Sequence, residues 1–157
     1  MSIPTPETPL LDTASRQARM GLLARAPAAA LAARFAALFP EPPAHAFLRA
    51  PEQGAVMVQG RIGATGAPFN LGEMTVTRCA LKLPGGAVGH AWVQGRDKAH
   101  ATRAALIDAL MQGAEAARIE AEILAPLAAE EAARKELRAE KAAATKVEFF
   151  TMVRGED

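Results

Sequence analysis

Residues 73–111 read EMTVTRCALKLPGGAVGHAWVQGRDKAHATRAALIDALM, and the fold turns on how this stretch is parsed. Two runs rich in Val, Thr, Leu and Trp, 73–83 and 87–94, flank Pro84-Gly85-Gly86, the clearest turn signal in the chain. Strand-forming residues on either side of such a turn predict an antiparallel hairpin. After Gly95 the period changes. Asp97 opens a helix over 97–112, with its acid at the end where the helix dipole favours negative charge. Strands followed by a helix that must bury one face predict an α+β fold.

Upstream, 45–49 and 55–62 flank Pro51-Glu52-Gln53-Gly54 and read as a first hairpin, with Val56, Val58 and Ile62 alternating toward one face. The glycine-rich stretch GATGAPFNLG, 63–72, joins the hairpins. The expectation is therefore a four-stranded antiparallel sheet. Ahead of it stand two short helices. Asp12 caps TASRQARMGLLARA, Pro27 introduces AAALAARFAALF, and FPEPP ends the second, giving a helical hairpin or elbow. Residues 1–11 hold three prolines and read as a flexible arm. Residues 12–157 read as one domain. Its last part is a helical stretch over 114–144, kinked at Pro126 and charged nearly all round, then an apolar tail strand, 147–157.

Composition narrows the function. The 157 residues are 50% hydrophobic, largely alanine, and only 4% aromatic, so the expected core is thin. Lys and Arg number 18 against 17 Asp and Glu, a balance that offers no whole-molecule field for nucleic acid or a membrane surface. The single cysteine, Cys79, makes no internal disulfide and cannot hold an iron–sulfur cluster or zinc-thiolate site alone. The three histidines are scattered, so no metal site is expected. The start of the chain lacks the basic and apolar runs of a signal peptide, and no apolar run nears membrane-spanning length. A cytoplasmic protein is expected.

Several residues are candidates for contact with an anion, a substrate or a partner. Gly60, Gly63 and Gly66 follow a strand but not at dinucleotide or P-loop spacing, and Ala-Pro-Phe-Asn rather than a helix comes next. A wide strand connection is the plain reading, a phosphate cradle the sharper one. Arg61 and Arg78 flank this loop on its two strands. On the helix at 97–112, Ala99, Leu106, Ile107, Leu110 and Met111 share an arc that also takes in His100 and Arg103, while Asp97, Lys98, Thr102 and Asp108 fall outside. Two readings of the basic pair stand: heads at the rim reaching water, or an anion or interface site. His90, Arg96, His100 and Arg103 are expected near one end of the sheet as a phosphate-contacting or general-acid group. Cys79 reads as a core residue. In the tail, Phe149, Phe150, Met152 and Arg154 are docking candidates that either pack on the chain's own sheet or seat on another protein.

Taken in order, TASRQARMGLLARA, RIGATGAPFNLGEMTVTR, GHAWVQGRDKAHATRAALIDALMQ, ILAPL and ATKVEFFTMVRGE resemble the phosphonate metabolism protein PhnG family, the G subunit of the bacterial carbon–phosphorus lyase core complex. The resemblance runs from Thr13 to Glu156. It implies a part in α-D-ribose 1-methylphosphonate 5-triphosphate synthase, which displaces adenine from ATP with an alkylphosphonate. It implies assembly with the H, I and J subunits, with nucleosidase chemistry on I and the iron–sulfur radical chemistry on J. This chain would then be accessory and need no cofactor of its own, ATP being a substrate of the complex. The resemblance carries no catalytic residue onto this chain. The alternative of another class is a self-sufficient nucleotide-binding enzyme using the glycine-rich loop with His90 and His100.

Overall fold

The computed structural model describes residues 12–146. The expected arm, 1–11, and the tail with Phe149, Phe150, Met152 and Arg154 lie outside these residues.

Helix α1, Thr13–Arg25, starts as its cap predicts: the Asp12 carboxylate accepts hydrogen bonds from the backbone N–H of Ala14 and Ser15. Helix α2, Ala28–Leu38, follows after Ala26 and Pro27, and the chain bends by 113° between the two. The elbow is as expected.

The sheet corrects one expectation. Among the described residues it has three antiparallel strands in the order β1-β2-β3, not four: β1 is Ala46–Arg61, β2 Pro68–Lys82 and β3 Val88–Gln94. The segment expected to turn at 51–54 runs straight on as strand. Its register against β2 slips between Phe47 and Arg49 and again between Arg49 and Glu52, so the extra residues are taken up as bulges. Pro51 sits there, on an edge strand, where its missing N–H costs no ladder bond. The glycine-rich stretch is likewise shorter as a loop than expected, because 68–72 already belongs to β2. Pro84-Gly85-Gly86 turns as predicted, with Gly86 at φ +93° and bonds from Leu83 N to Ala87 O and from Gly86 N to Leu83 O.

β3 pairs only with residues 76–82 of β2. Beyond that, β1 and β2 continue as a two-stranded ribbon to a 3₁₀ turn at Ile62–Ala64. The ribbon leaves Met57, Ile62, Phe69 and Leu71 exposed.

Helix α3, Lys98–Leu110, packs across one face of the sheet, with the Asp97 carboxylate accepting from His100 N at its start. Ala101, Ala105 and Ala109, four residues apart, are fully buried, and Gly89 of β3 lies against Ala105 and Ala109. Alanine here is what lets helix and sheet close up. Helices α1 and α2 also contact α3, so it is sandwiched. The last helix, α4, is built of Ala116–Ile119, a π-helical segment Glu120–Leu124, and Ala125–Ala144. Pro126 cannot donate to a carbonyl one turn back, and the widened turn just before it, closed by Ala125 N to Glu120 O, accommodates the ring. Ile119, Ile123, Leu124 and Leu127 enter the core; the rest of α4 is largely exposed.

Arg25 at the end of α1 clasps α4 through Glu131, Nε to Oε1 at 2.7 Å, and Lys135 reaches the same oxygen at 3.3 Å. The Arg25 hydrogen bond chiefly holds the Glu131 carboxyl down to about 2. A depressed carboxylate stabilises the fold above its unfolded value near 4.5, and that contribution disappears as pH falls toward about 2. The melting temperature of wild type should therefore exceed that of Glu131→Gln at pH 6. The gap should close on titration from pH 5 to pH 2. A gap independent of pH in that window contradicts the ion-pair account.

Candidate functional site

The two faces of the sheet differ completely. The inner face, with Thr77, Cys79, Leu81, Ala91 and Val93, is buried against the helices. The outer face carries the alternate residues, among them the exposed His90 and Trp92. Cross-strand register sets out its rows: Glu52 opposite Arg78 opposite Trp92, then Arg49 opposite Ala80 opposite His90. Leu48, Arg49, Arg78, Ala80, His90 and Trp92 line an open cleft of about 400 Å³.

Electrostatics in this cleft are lopsided. Arg49 Nη1 and Arg78 Nε both donate to the same Glu52 oxygen, at 2.7 and 2.6 Å. Those two guanidinium contacts, Arg78 first, hold the Glu52 carboxyl below its usual range. Arg78 also lies over the Trp92 ring, 5.6 Å from its centre, a cation–π contact that restrains both side chains. A guanidinium has five donors, and Glu52 engages one from each arginine.

The expected group of four basic residues is not assembled. His90 is on the outer face, whereas His100 is buried on α3 behind the inner face, with its ring Nε2 2.8 Å from Leu23 O. His100 is thus a core histidine whose ring nitrogen is satisfied by α1. Arg103 lines a separate cleft with Phe35, Phe39, Pro40, His45 and Leu106. Arg96 is exposed in the link between β3 and α3, its carbonyl accepting from the Gln53 side chain. Arg61 sits at the ribbon tip, where Nη1 donates to Gly66 O at 3.0 Å. Arg78 is on β2 opposite Glu52, well along the strand from that loop. The loop is a hairpin connection. Gly63 takes φ +58°, and a Cβ on Gly66 would fall 2.7 Å from Ile62 O. Glycine is required there by backbone geometry, and the loop leads into strand β2, not a helix. Among the described residues, His90 and His100 line different clefts, on the outer face and behind the inner face, and the glycine-rich loop lies at the ribbon tip.

Cys79 is buried, and that burial pushes its thiol up, away from nucleophilic use. Asp108 is the residue the helical arc missed. It is buried, accepting from Arg16 Nε at 3.0 Å, Arg16 Nη2 at 2.7 Å and the backbone N–H of His90 at 2.9 Å. Arg16 Nη2 and Gln112 Nε2 also donate to Val88 O. Side chains from α1 and α3 therefore bond to the edge of β3 that faces away from β2, at 88–90. Ala99, expected inside the arc, is exposed. A sandwiched α3 buries Ala101, Ala104, Ala105 and Ala109 besides Leu106 and Ile107, a wider face than one arc. Acid and base at positions 108 and 16, 92 residues apart, gave no local signal.

A family model described as Phosphonate metabolism protein PhnG matches residues 14–155. A relative from Rhizobium meliloti (strain 1021), alpha-D-ribose 1-methylphosphonate 5-triphosphate synthase subunit PhnG, is 49% identical over 148 residues, covering 92% of each chain.

Proposed function

The chain belongs to the phosphonate metabolism protein PhnG family, and from that membership we propose that it is an accessory subunit of an α-D-ribose 1-methylphosphonate 5-triphosphate synthase. The observation that carries the reading is the relative named as a subunit of that synthase, matched over nearly the whole of both chains. Its partners in this reading are the H, I and J subunits of a cytoplasmic complex that exchanges the adenine of ATP for an alkylphosphonate at ribose C1. Adenine departure and radical chemistry belong to the partners, and this chain needs no cofactor.

The geometry supports an accessory role. The candidate basic residues are distributed over the outer sheet face, the ribbon tip, the link between β3 and α3, the core and a separate cleft, and Cys79, which borders the outer cleft beside His90, is buried with its thiol pushed up by that burial. Exposed apolar side chains on the ribbon suit a subunit that finishes its packing against neighbours. Among the described residues no single helix is long and apolar enough to cross a membrane.

Co-expression with the H, I and J subunits tests this, read by the size of the assembly and by phosphonate-dependent adenine release from ATP. The purified chain should release no adenine, and omitting it should abolish release by the others. Turnover by the chain alone, or full turnover without it, overturns the proposal.

A further inference from the structure

We propose that the outer face of the sheet around Arg78 and Trp92 seats a partner subunit through an acidic surface with an apolar side chain at its centre. The inference rests on the reading of this chain as a synthase subunit and names the face it uses.

Charge carries the argument. The whole chain is nearly balanced, 18 basic against 17 acidic residues. Yet among the described residues this face presents Arg49, Arg78 and, by strand alternation, Lys82, with His90 beside them, against the single carboxylate of Glu52. One acid shared by two arginines leaves net positive charge and unused donors, which a carboxylate-bearing surface complements. Apolar anchors stand in the same place. Trp92 is 50% exposed and Leu48 60% exposed, both lining the cleft. Aromatic rings and arginine at the centre of a patch, with a recess between them, are the composition of interface hot spots. The cation–π contact from Arg78 holds the Trp92 ring ready, so little side-chain freedom is lost on docking. Glu52 keeps both arginines in place.

Trp92 is the only tryptophan in the chain, so its fluorescence reports on this face directly. In the full-length chain alone, its emission should be that of a solvent-exposed indole and should be quenched by iodide. A shielded Trp92 would mean that the chain's own terminal residues occupy the face, which overturns the proposal. In the co-expressed synthase, Arg78→Glu and Trp92→Ala should each weaken retention of the chain at least tenfold. Arg118→Gln, on exposed α4, should leave retention unchanged. Circular dichroism and thermal melts check that the variants fold, and Arg49→Glu on edge strand β1 serves if Arg78→Glu does not. Wild-type retention of the folded face variants overturns the inference. So does intact assembly with reduced adenine release, which would make the face a site for a small anion. If the unaltered chain fails to join the synthase, the subunit reading itself falls, and this inference with it.

Discussion

Gly89→Ala should unfold the protein or lower its melting temperature by roughly 10 °C or more, given the few degrees that each kcal/mol moves a chain of this size. A Cβ at position 89 would lie 1.9 Å from Ala105 O, 2.8 Å from Ala109 N and 2.9 Å from Ala109 Cβ. Two of these three are backbone atoms of α3, which no rotamer change can move aside. The strand must separate from the helix, and Ala91 and Val93 then lose their packing against α3. Overpacking a core costs about 1–3 kcal/mol where side chains can yield. Here they cannot, so about 4 kcal/mol is expected. Gly85→Ala is the control. It is a turn glycine with no positive φ and nothing within 4 Å of its would-be Cβ, so its melting temperature should match wild type. Equal melting of both variants would show that β3 and α3 do not approach this closely.

That close approach also explains what the sequence allowed to be read and what it hid. The hairpin around Pro84-Gly85-Gly86, the caps at Asp12 and Asp97 and the helical elbow are local features, each written in a few neighbouring residues. Local signals failed at Pro51-Glu52-Gln53-Gly54, because the same dipeptides that turn a chain also make bulges on an edge strand. Only the partner strand, out to Lys82, decides between them. The candidate site was half legible. Arg78 and His90 stand out in the sequence, but their neighbour Glu52 lies inside the misread turn, and Leu48 and Arg49 fall on a strand whose register only β2 fixes. His100 drew attention as a basic group on an apolar arc; its partner is a backbone carbonyl 77 residues away, which leaves no trace in residue type. The mass of alanine by itself implies only a thin core. In α3 it is the means by which a helix is buried on opposite sides at once.

The second large effect is expected at Asp108. Asp108→Ala should cost about 3 kcal/mol or more, read by chemical denaturation. Removing one member of a buried pair leaves the other charge uncompensated. The discount for solvent is one-sided, because the Arg16 side chain is 30% exposed whereas Asp108 is only 4% exposed. Arg16→Ala should therefore be at least as damaging, since it strands a carboxylate with little access to water. The double variant Arg16→Met with Asp108→Leu separates charge from hydrogen bonding. It removes both ions and keeps apolar volume, so it should be more stable than either single variant. It should not reach wild type, because the His90 N–H and the Val88 carbonyl at the edge of β3 lose partners that the ion pair supplied. Asp108→Asn, which keeps an oxygen for the His90 N–H, should fall between wild type and alanine. Additive losses in the double variant would show that Arg16 and Asp108 act separately. The capping of β3 by α1 and α3 would then not be what holds the helical layer on the sheet.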